Sequence, residues 1–129
     1  LDMSDQMMAG WAYWDFNFGG WFPVDAAGDE RPNMDLLVRP YPRRIAGRPT
    51  AFGFDRTTGV FTLDFADREG VTGATEIHVP PRHYPDGWAL DLSDPEGTWS
   101  QSWDPVASVL SITTDGSGRS HHMELRRAP

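Results

Sequence analysis

Met7-Met8-Ala9-Gly10-Trp11-Ala12-Tyr13-Trp14-Asp15-Phe16-Asn17-Phe18 carries no charge until Asp15. Folded as a strand, its side chains alternate between two faces. Met7, Ala9, Trp11 and Tyr13 form a mostly large face; Met8, Gly10, Ala12 and Trp14 form a small one that ends in an indole. A strand apolar on both faces belongs inside a sheet covered on both sides. Small residues closed by one terminal aromatic suit a strand lining a crowded barrel. Its last side chain then stands at the mouth, where such barrels keep their active sites.

Downstream there is no partner strand of the same kind. From Pro49 onward the pattern is short, alternating and turn-rich. Strands are predicted over 50–54, 60–65, 74–79, 88–92, 98–103, 106–112 and 121–126. Turn signals separate them, among them Arg56-Thr57-Thr58-Gly59, Pro85-Asp86-Gly87, Asp104-Pro105 and Asp115-Gly116-Ser117-Gly118. Such spacing suits an antiparallel sandwich. Phe61, Leu63 and Phe65 alternate with Thr62 and Asp64, which sets one face to the core and the other to water. A doubly buried strand without parallel neighbours implies a chain that starts late inside a barrel and continues into a separate β domain. The alternative makes Met7–Phe18 a core strand of one small sandwich.

Between these regions, Gly19-Gly20-Trp21-Phe22-Pro23 breaks the first strand and Val24–Arg31 forms a polar loop. Asn33 is placed as the N-cap of a helix with Asp35 in its first turn. Met34, Leu37, Val38 and Tyr41 fall at helical spacing, and Pro40 and Pro42 hold the helix to a couple of turns or kink it. Arg43, Arg44 and Gly47 read as its C-terminal end.

The formal charge is −8, and all 11 basic residues are arginine. A chain so acidic does not suit nucleic acid or an anionic membrane, since phosphate binding needs a basic face. Without cysteine there are neither disulfides nor thiolate metal ligands. No apolar run approaches the roughly 18 residues that suggest a membrane span. Leu1-Asp2-Met3-Ser4-Asp5 is acidic where a secretion signal is basic, which is uninformative for a C-terminal piece.

Three stretches carry a resemblance. Gly10-Trp11-Ala12-Tyr13-Trp14 resembles the eighth barrel strand of family 5 glycoside hydrolases. Residues 37–47, Leu-Val-Arg-Pro-Tyr-Pro-Arg-Arg-Ile-Ala-Gly, resemble the last barrel helix and domain junction of that family's endoglycosylceramidase branch. Thr75-Glu76-Ile77-His78-Val79-Pro80, followed by His83-Tyr84-Pro85-Asp86-Gly87, resembles a strand and turn of the branch's C-terminal sandwich. The resemblance implies a retaining hydrolase that cuts glycan from ceramide, or related lipid β-glycosides. It implies two glutamates, their carboxyls about 5–5.5 Å apart, one as nucleophile and one as acid/base. The acid/base glutamate is expected in an Asn-Glu sequence near the fourth strand, and the nucleophile at the end of the seventh. Neither Asn17 nor Asn33 precedes a glutamate, and Glu30, Glu69, Glu76, Glu96 and Glu124 all follow the predicted eighth strand. Both catalytic carboxylates are therefore expected upstream of Leu1, and this chain alone is not expected to catalyse.

The resemblance transfers a substrate platform to Trp14, a flat π surface beneath the sugar at the cleavage point. Asp15 and Asn17 are candidates for sugar hydroxyls, with a solvent-facing or loop-structuring role as the alternative. Trp21 and Phe22 either line the lipid side of the cleft or cap the barrel rim. Asp91, Ser93, Asp94 and Glu96 bring oxygens together as a calcium loop would, although acidic turns are common in so acidic a chain. His121 and His122 should face opposite sides of one strand. His78 and His83 lack an evident third ligand, and structural roles are expected for all four histidines. Arg39, Arg43, Arg44 and Arg48 are read as ion pairs at the domain junction, with acidic headgroups or sialic acid as the alternative. Trp88, Trp99 and Trp103 are read as core packing, with an exposed aromatic strip as the alternative.

The resulting expectation is a mostly β chain. Residues 1–47 supply the last β/α unit of a (β/α)8 barrel, and residues 48–129 form an antiparallel β-sandwich. The partners are an N-terminal barrel piece, a glycolipid and, as a further option, a membrane surface. No cofactor, metal or nucleic acid is expected, and a secreted or cell-surface bacterial location is. The competing function is a non-catalytic carbohydrate- or lipid-binding sandwich.

Overall fold

The computed structural model describes residues 1–12 and 22–129. A short helix α1 (Asp2–Gln6) and a one-turn helix α2 (Met34–Leu37) precede eight strands. These are β1 (Tyr41–Arg44), β2 (Arg48–Asp55), β3 (Val60–Ala66), β4 (Thr75–His78), β5 (Trp88–Leu92), β6 (Trp99–Asp104), β7 (Val109–Thr114) and β8 (Ser120–Arg127). They form two four-stranded antiparallel sheets, ordered β1-β4-β7-β6 and β2-β3-β8-β5. The chain is an antiparallel β-sandwich, as its alternation predicted.

The core follows from register. Phe61 stands opposite Leu125 and Leu63 opposite Met123, and all four are fully buried. Ile77, Leu110 and Ile112 come from the other sheet and are equally buried. At about 1.5–3 kcal/mol for each large apolar side chain taken out of water, this cluster is the main stabilising term. Aspartates set two of the hairpins by accepting backbone N–H bonds from the residues that follow. Asp55 Oδ1 accepts from Thr57 at 2.8 Å, and Asp104 Oδ1 from Val106 at 2.9 Å and Ala107 at 3.0 Å. The Asp104 turn delays β7 to Val109 and leaves Val106, the expected start of that strand, 95% exposed.

The strand expected over Met7–Phe18 is not formed in its described part. Met7, Met8 and Ala9 donate backbone N–H bonds to Met3, Asp5 and Ser4 carbonyls at the end of α1. Met8 is left-handed at φ 51°, and Met7, Met8 and Trp11 are exposed. Residues 7–12 join neither sheet, so the one-sandwich alternative gains nothing from them. Residues 13–18 lie outside the described residues.

The helix expected to run from Asn33 toward Gly47 stops after one turn. Val38 turns extended, with ψ 103°, two residues before Pro40. Tyr41–Arg44 then becomes a strand, with Tyr41 opposite His78 and Pro42 opposite Ile77. An edge strand tolerates Pro42 because its outer N–H positions need no partner. Arg43 and Arg44 therefore lie on a strand, not at a helix end, and Arg44 pairs with Glu76 at 2.8 Å. The sandwich thus includes residues N-terminal of the expected 47/48 junction.

Candidate functional site

The four residues singled out for substrate, Trp14, Asp15, Asn17 and Trp21, lie outside the described residues. What the structure does place is the region they flank. α1 packs against β2, an edge strand of its sheet. A cleft of about 550 Å³ opens there between Met8 and Trp11 on one wall and Ile45, Pro49 and Phe52 on the other, with Leu37 and Arg39 between.

Arg39 organises this junction. It is 4% exposed, contacts the Asp5 carboxylate, lies 3.3 Å from Asp2 Oδ1 and sits over the Phe54 ring at 5.9 Å. A guanidinium suits such a place because its planar fork binds carboxylates while its face rests on an aromatic. Burial raises the Asp5 carboxyl above its ordinary value against the pull of Arg39, and the charge of Asp2 adds to the rise. Two further ties hold residues 24–40 to the sandwich. Arg82 bridges Glu30 and Asp35, and His83 donates from Nε2 to the Val38 carbonyl while its ring meets Phe54 edge-on at 4.8 Å. The reading of the basic run as junction ion pairs fits Arg39; Arg43 and Arg48 are exposed.

The other candidates fall apart as sites. Asp91 pairs with Arg126, Ser93 Oγ accepts the His122 N–H, and Asp94 turns inward to His121. The oxygens of the supposed calcium loop are thus aimed at different protein partners. His78 lies against Tyr41 at 5.2 Å, and burial, then the charge of Arg43, lowers its pKa. Among the described residues, no group of three or more histidine or carboxylate side chains is placed to hold a metal ion. His121 and His122 do face opposite ways, one buried and one exposed and bound to Asp64 at 2.7 Å.

Sequence reasoning missed the network around His121. Its Nδ1 donates to Asp94 at 2.9 Å, and its ring stacks on Phe65 at 4.6 Å. Nε2 faces Asp67 Oδ1 at 3.0 Å, a contact of charge without the alignment of a hydrogen bond. Asp67 Oδ2 also accepts from the Gly118 and Arg119 amides at 2.9 and 3.2 Å. Burial raises the Asp67 carboxyl, but the close His121 ring and those amides outweigh it and hold the pKa below its ordinary value. This network ties three loops to β8. The only sequence signal for it was an acidic turn and a histidine far apart in the chain.

Among the described glutamates, Glu30, Glu76 and Glu124 pair with arginines, and Glu69 and Glu96 are exposed in loops. What the described residues offer is an apolar cleft at a junction, held by one buried ion pair.

Residues 39–125 match the family model described as the glycoside hydrolase family 5 C-terminal domain. The chain is 36% identical to endoglycoceramidase I of Rhodococcus hoagii over 118 residues, 92% of this chain and 22% of that protein. It is 26% identical to an endoglycoceramidase of Hydra vulgaris over 102 residues, 72% of this chain and 20% of that protein. In fold it is similar to endo-glycoceramidase II from Rhodococcus sp., with a TM-score of 0.81, 24% identity, and coverage of 98% of this chain and 28% of that one. Sterylglucosidase 1 of Cryptococcus neoformans is also similar, with a TM-score of 0.64 and 21% identity over 77% of this chain and 15% of that one. The chain spans about a fifth of the curated relatives it matches.

Proposed function

Because the chain belongs to the family of glycoside hydrolase family 5 C-terminal domains, we propose that it is the C-terminal portion of a retaining glycosidase acting on glycolipids. The bond cleaved is glycan–ceramide or a related lipid β-glycoside. One observation carries this reading: 92% of the chain aligns at 36% identity with a named endoglycoceramidase while covering only 22% of it. The glutamates of a retaining mechanism belong to the part of the enzyme that lies upstream, since the five here are surface-paired or exposed in loops.

In this account residues 7–18 form the last strand of the catalytic barrel once the upstream strands are present to bond their backbone. The cleft beside Trp11, Ile45 and Phe52 is then covered by that barrel, with Arg39, Asp5 and Asp2 fixing the angle between the two parts. Trp14 lies under the sugar at the scissile bond, Asp15 and Asn17 reach its hydroxyls, and Trp21 lies toward the lipid. An enzyme for such substrates works outside the cell or at its surface, where glycolipids are displayed, and touches the membrane that holds them. The test uses the assembled enzyme and a fluorescent ceramide glycoside. Trp14→Ala should lower kcat/KM by about 10–100-fold, as expected for one lost transition-state contact worth a few kcal/mol. An unchanged kcat/KM removes Trp14 from the site, and an enzyme inert toward every lipid glycoside removes the substrate class.

A further inference from the structure

We propose that β6 is a self-pairing edge: two copies of this chain join through it, antiparallel, about a two-fold axis at Gln101. Four strands end the two sheets, β1 and β6 in one, β2 and β5 in the other. An unpaired edge is a template for another chain, and sheets blunt it with prolines, charges, bulges, short strands or a cover. Three of the four edges are blunted. β1 carries Pro42, Arg43 and Arg44 and slips register between Pro42 and Arg44. β2 carries Pro49, slips register between Pro49 and Ala51, and lies against α1. β5 is five residues long and holds the ion-paired Asp91. β6 has none of these devices over Trp99–Trp103. It follows β7 in unbroken register, without proline or a basic residue, and Ser100, Gln101, Ser102 and Trp103 are exposed among the described residues.

The sequence of β6 selects the occupant. Trp99-Ser100-Gln101-Ser102-Trp103 reads the same in both directions. Two such strands laid antiparallel with Gln101 on the axis set Trp99 against Trp103 of the second copy. Ser100 then meets Ser102 of the second copy, and Gln101 meets itself. Every residue faces its like, which is the self-complementarity a two-fold interface requires. A pairing centred on a residue works whichever set of β6 amides points outward, because bonded and non-bonded pairs alternate along an antiparallel ladder. The facing groups suit one another: indole beside indole, hydroxyl beside hydroxyl, and two carboxamides that each donate and accept.

Faces and charges agree with this pairing. Paired residues on antiparallel strands share a face, so Gln101 and Trp103 lie on the side of their partners Ile112 and Leu110, both core residues. Trp103 meets Trp88 edge-to-face at 5.5 Å yet stays 38% exposed, and Trp99 is half-buried. In the pair each Trp103 gains Trp99 of the other copy beside it. No charge lies between Trp99 and Trp103. The carboxylate that follows, Asp104, falls opposite Thr98 of the second copy. The two Asp104 side chains thus stand at opposite ends of the paired strands, roughly 20 Å apart, beyond the reach of screened repulsion.

Sedimentation of the 129-residue chain should show a monomer–dimer equilibrium with a Kd on the order of 0.1 mM, since edges of this length bury less than a standard interface. Gln101→Lys sets like charges against each other at the axis and should weaken dimerisation about tenfold or more. Its melting temperature should not change, because Gln101 is exposed. Mixing it with the Gln101→Glu chain should restore association as heterodimers. The chain has no cysteine, so single introduced thiols report the register. Under oxidation the Gln101→Cys chain should cross-link to itself, because facing Cα atoms of an antiparallel pair lie at disulfide distance. Ser100→Cys and Ser102→Cys chains should cross-link faster when mixed than either does alone. Val106→Cys, at a position 95% exposed in the β6–β7 turn, is the control. The Gln101→Cys cross-link should also form in the protein that carries its upstream part. Three outcomes overturn the proposal: a chain monomeric at every concentration, Gln101→Cys cross-linking no faster than Val106→Cys, or loss of the cross-link once the upstream part is present. The last assigns the edge to that upstream part. None of the three decides the glycosidase assignment, which is read from turnover.

Discussion

Replacing His121 by alanine strands the Asp94 carboxylate in the sandwich. His121 is 2% exposed, and the Asp94 and Asp67 side chains that face it are 2% and 9% exposed. Its Nδ1 bonds to Asp94 at 2.9 Å and its Nε2 faces Asp67 at 3.0 Å. Asp67 would retain the Gly118 and Arg119 amides, but Asp94 would lose its histidine partner. A buried carboxylate left without its partner costs about 3–5 kcal/mol. With a urea m-value near 2 kcal/mol/M, the midpoint should fall by about 1.5–2.5 M. The exposed pair His122–Asp64, with side chains 53% and 41% exposed, is the control: His122→Ala should cost about 0.2–1 kcal/mol. Adding Asp94→Asn to His121→Ala should recover part of the loss, since the second change removes the stranded charge. Equal urea midpoints for His121→Ala and His122→Ala, or a double variant weaker than the sum of its parts, would refute the reasoning.

The Asp67 carboxyl gives a pH prediction. Its folded pKa lies below the ordinary 3.8, so the unfolded chain binds more protons as pH falls. The contribution is fully present above the unfolded value and is lost as pH drops through the folded one. Urea midpoints should therefore decline below about pH 4, and Asp67→Asn should flatten that decline; parallel curves for the two chains would contradict the assignment. Gly47 lies where a new Cβ would come 2.4 Å from the Ala66 carbonyl oxygen and 3.3 Å from the Phe65 ring. Gly47→Ala should thus destabilise by about 1–3 kcal/mol through a forced backbone shift, and a melting temperature unchanged by this substitution would show that β2 yields freely.

The parts of the fold that local pattern decides were legible in the sequence. β3 was announced by Phe61, Leu63 and Phe65 alternating with polar residues, and β5 by Trp88–Leu92 between two turns. β1 was not, because Pro40, Pro42 and the arginines around them look like a helix end. Only the pairing of Tyr41 with His78, far along the chain, makes them an edge strand. Val106 was expected to open β7, but the Asp104 carboxylate organises the turn and pushes it into solvent. The His121 network was hidden for the same reason as β1, since 27 residues separate Asp94 from His121. As for the candidate site, Trp14, Asp15, Asn17 and Trp21 lie outside the described residues, and of the basic run it is Arg39 that is buried at the junction against Asp5. In this chain the amides of Met7, Met8 and Ala9 bond to carbonyls at the end of α1, an arrangement that local helix ends offer and a period-of-two pattern does not reveal.

The central claim is that this chain completes a glycosidase whose catalytic carboxylates lie upstream. The direct measurement is release of glycan from a ceramide glycoside by the 129-residue chain, first alone and then joined to the preceding part of its protein. The account predicts no release by the chain alone and turnover once the two are together. Hydrolysis by the isolated chain, or its absence from the joined protein, would contradict it.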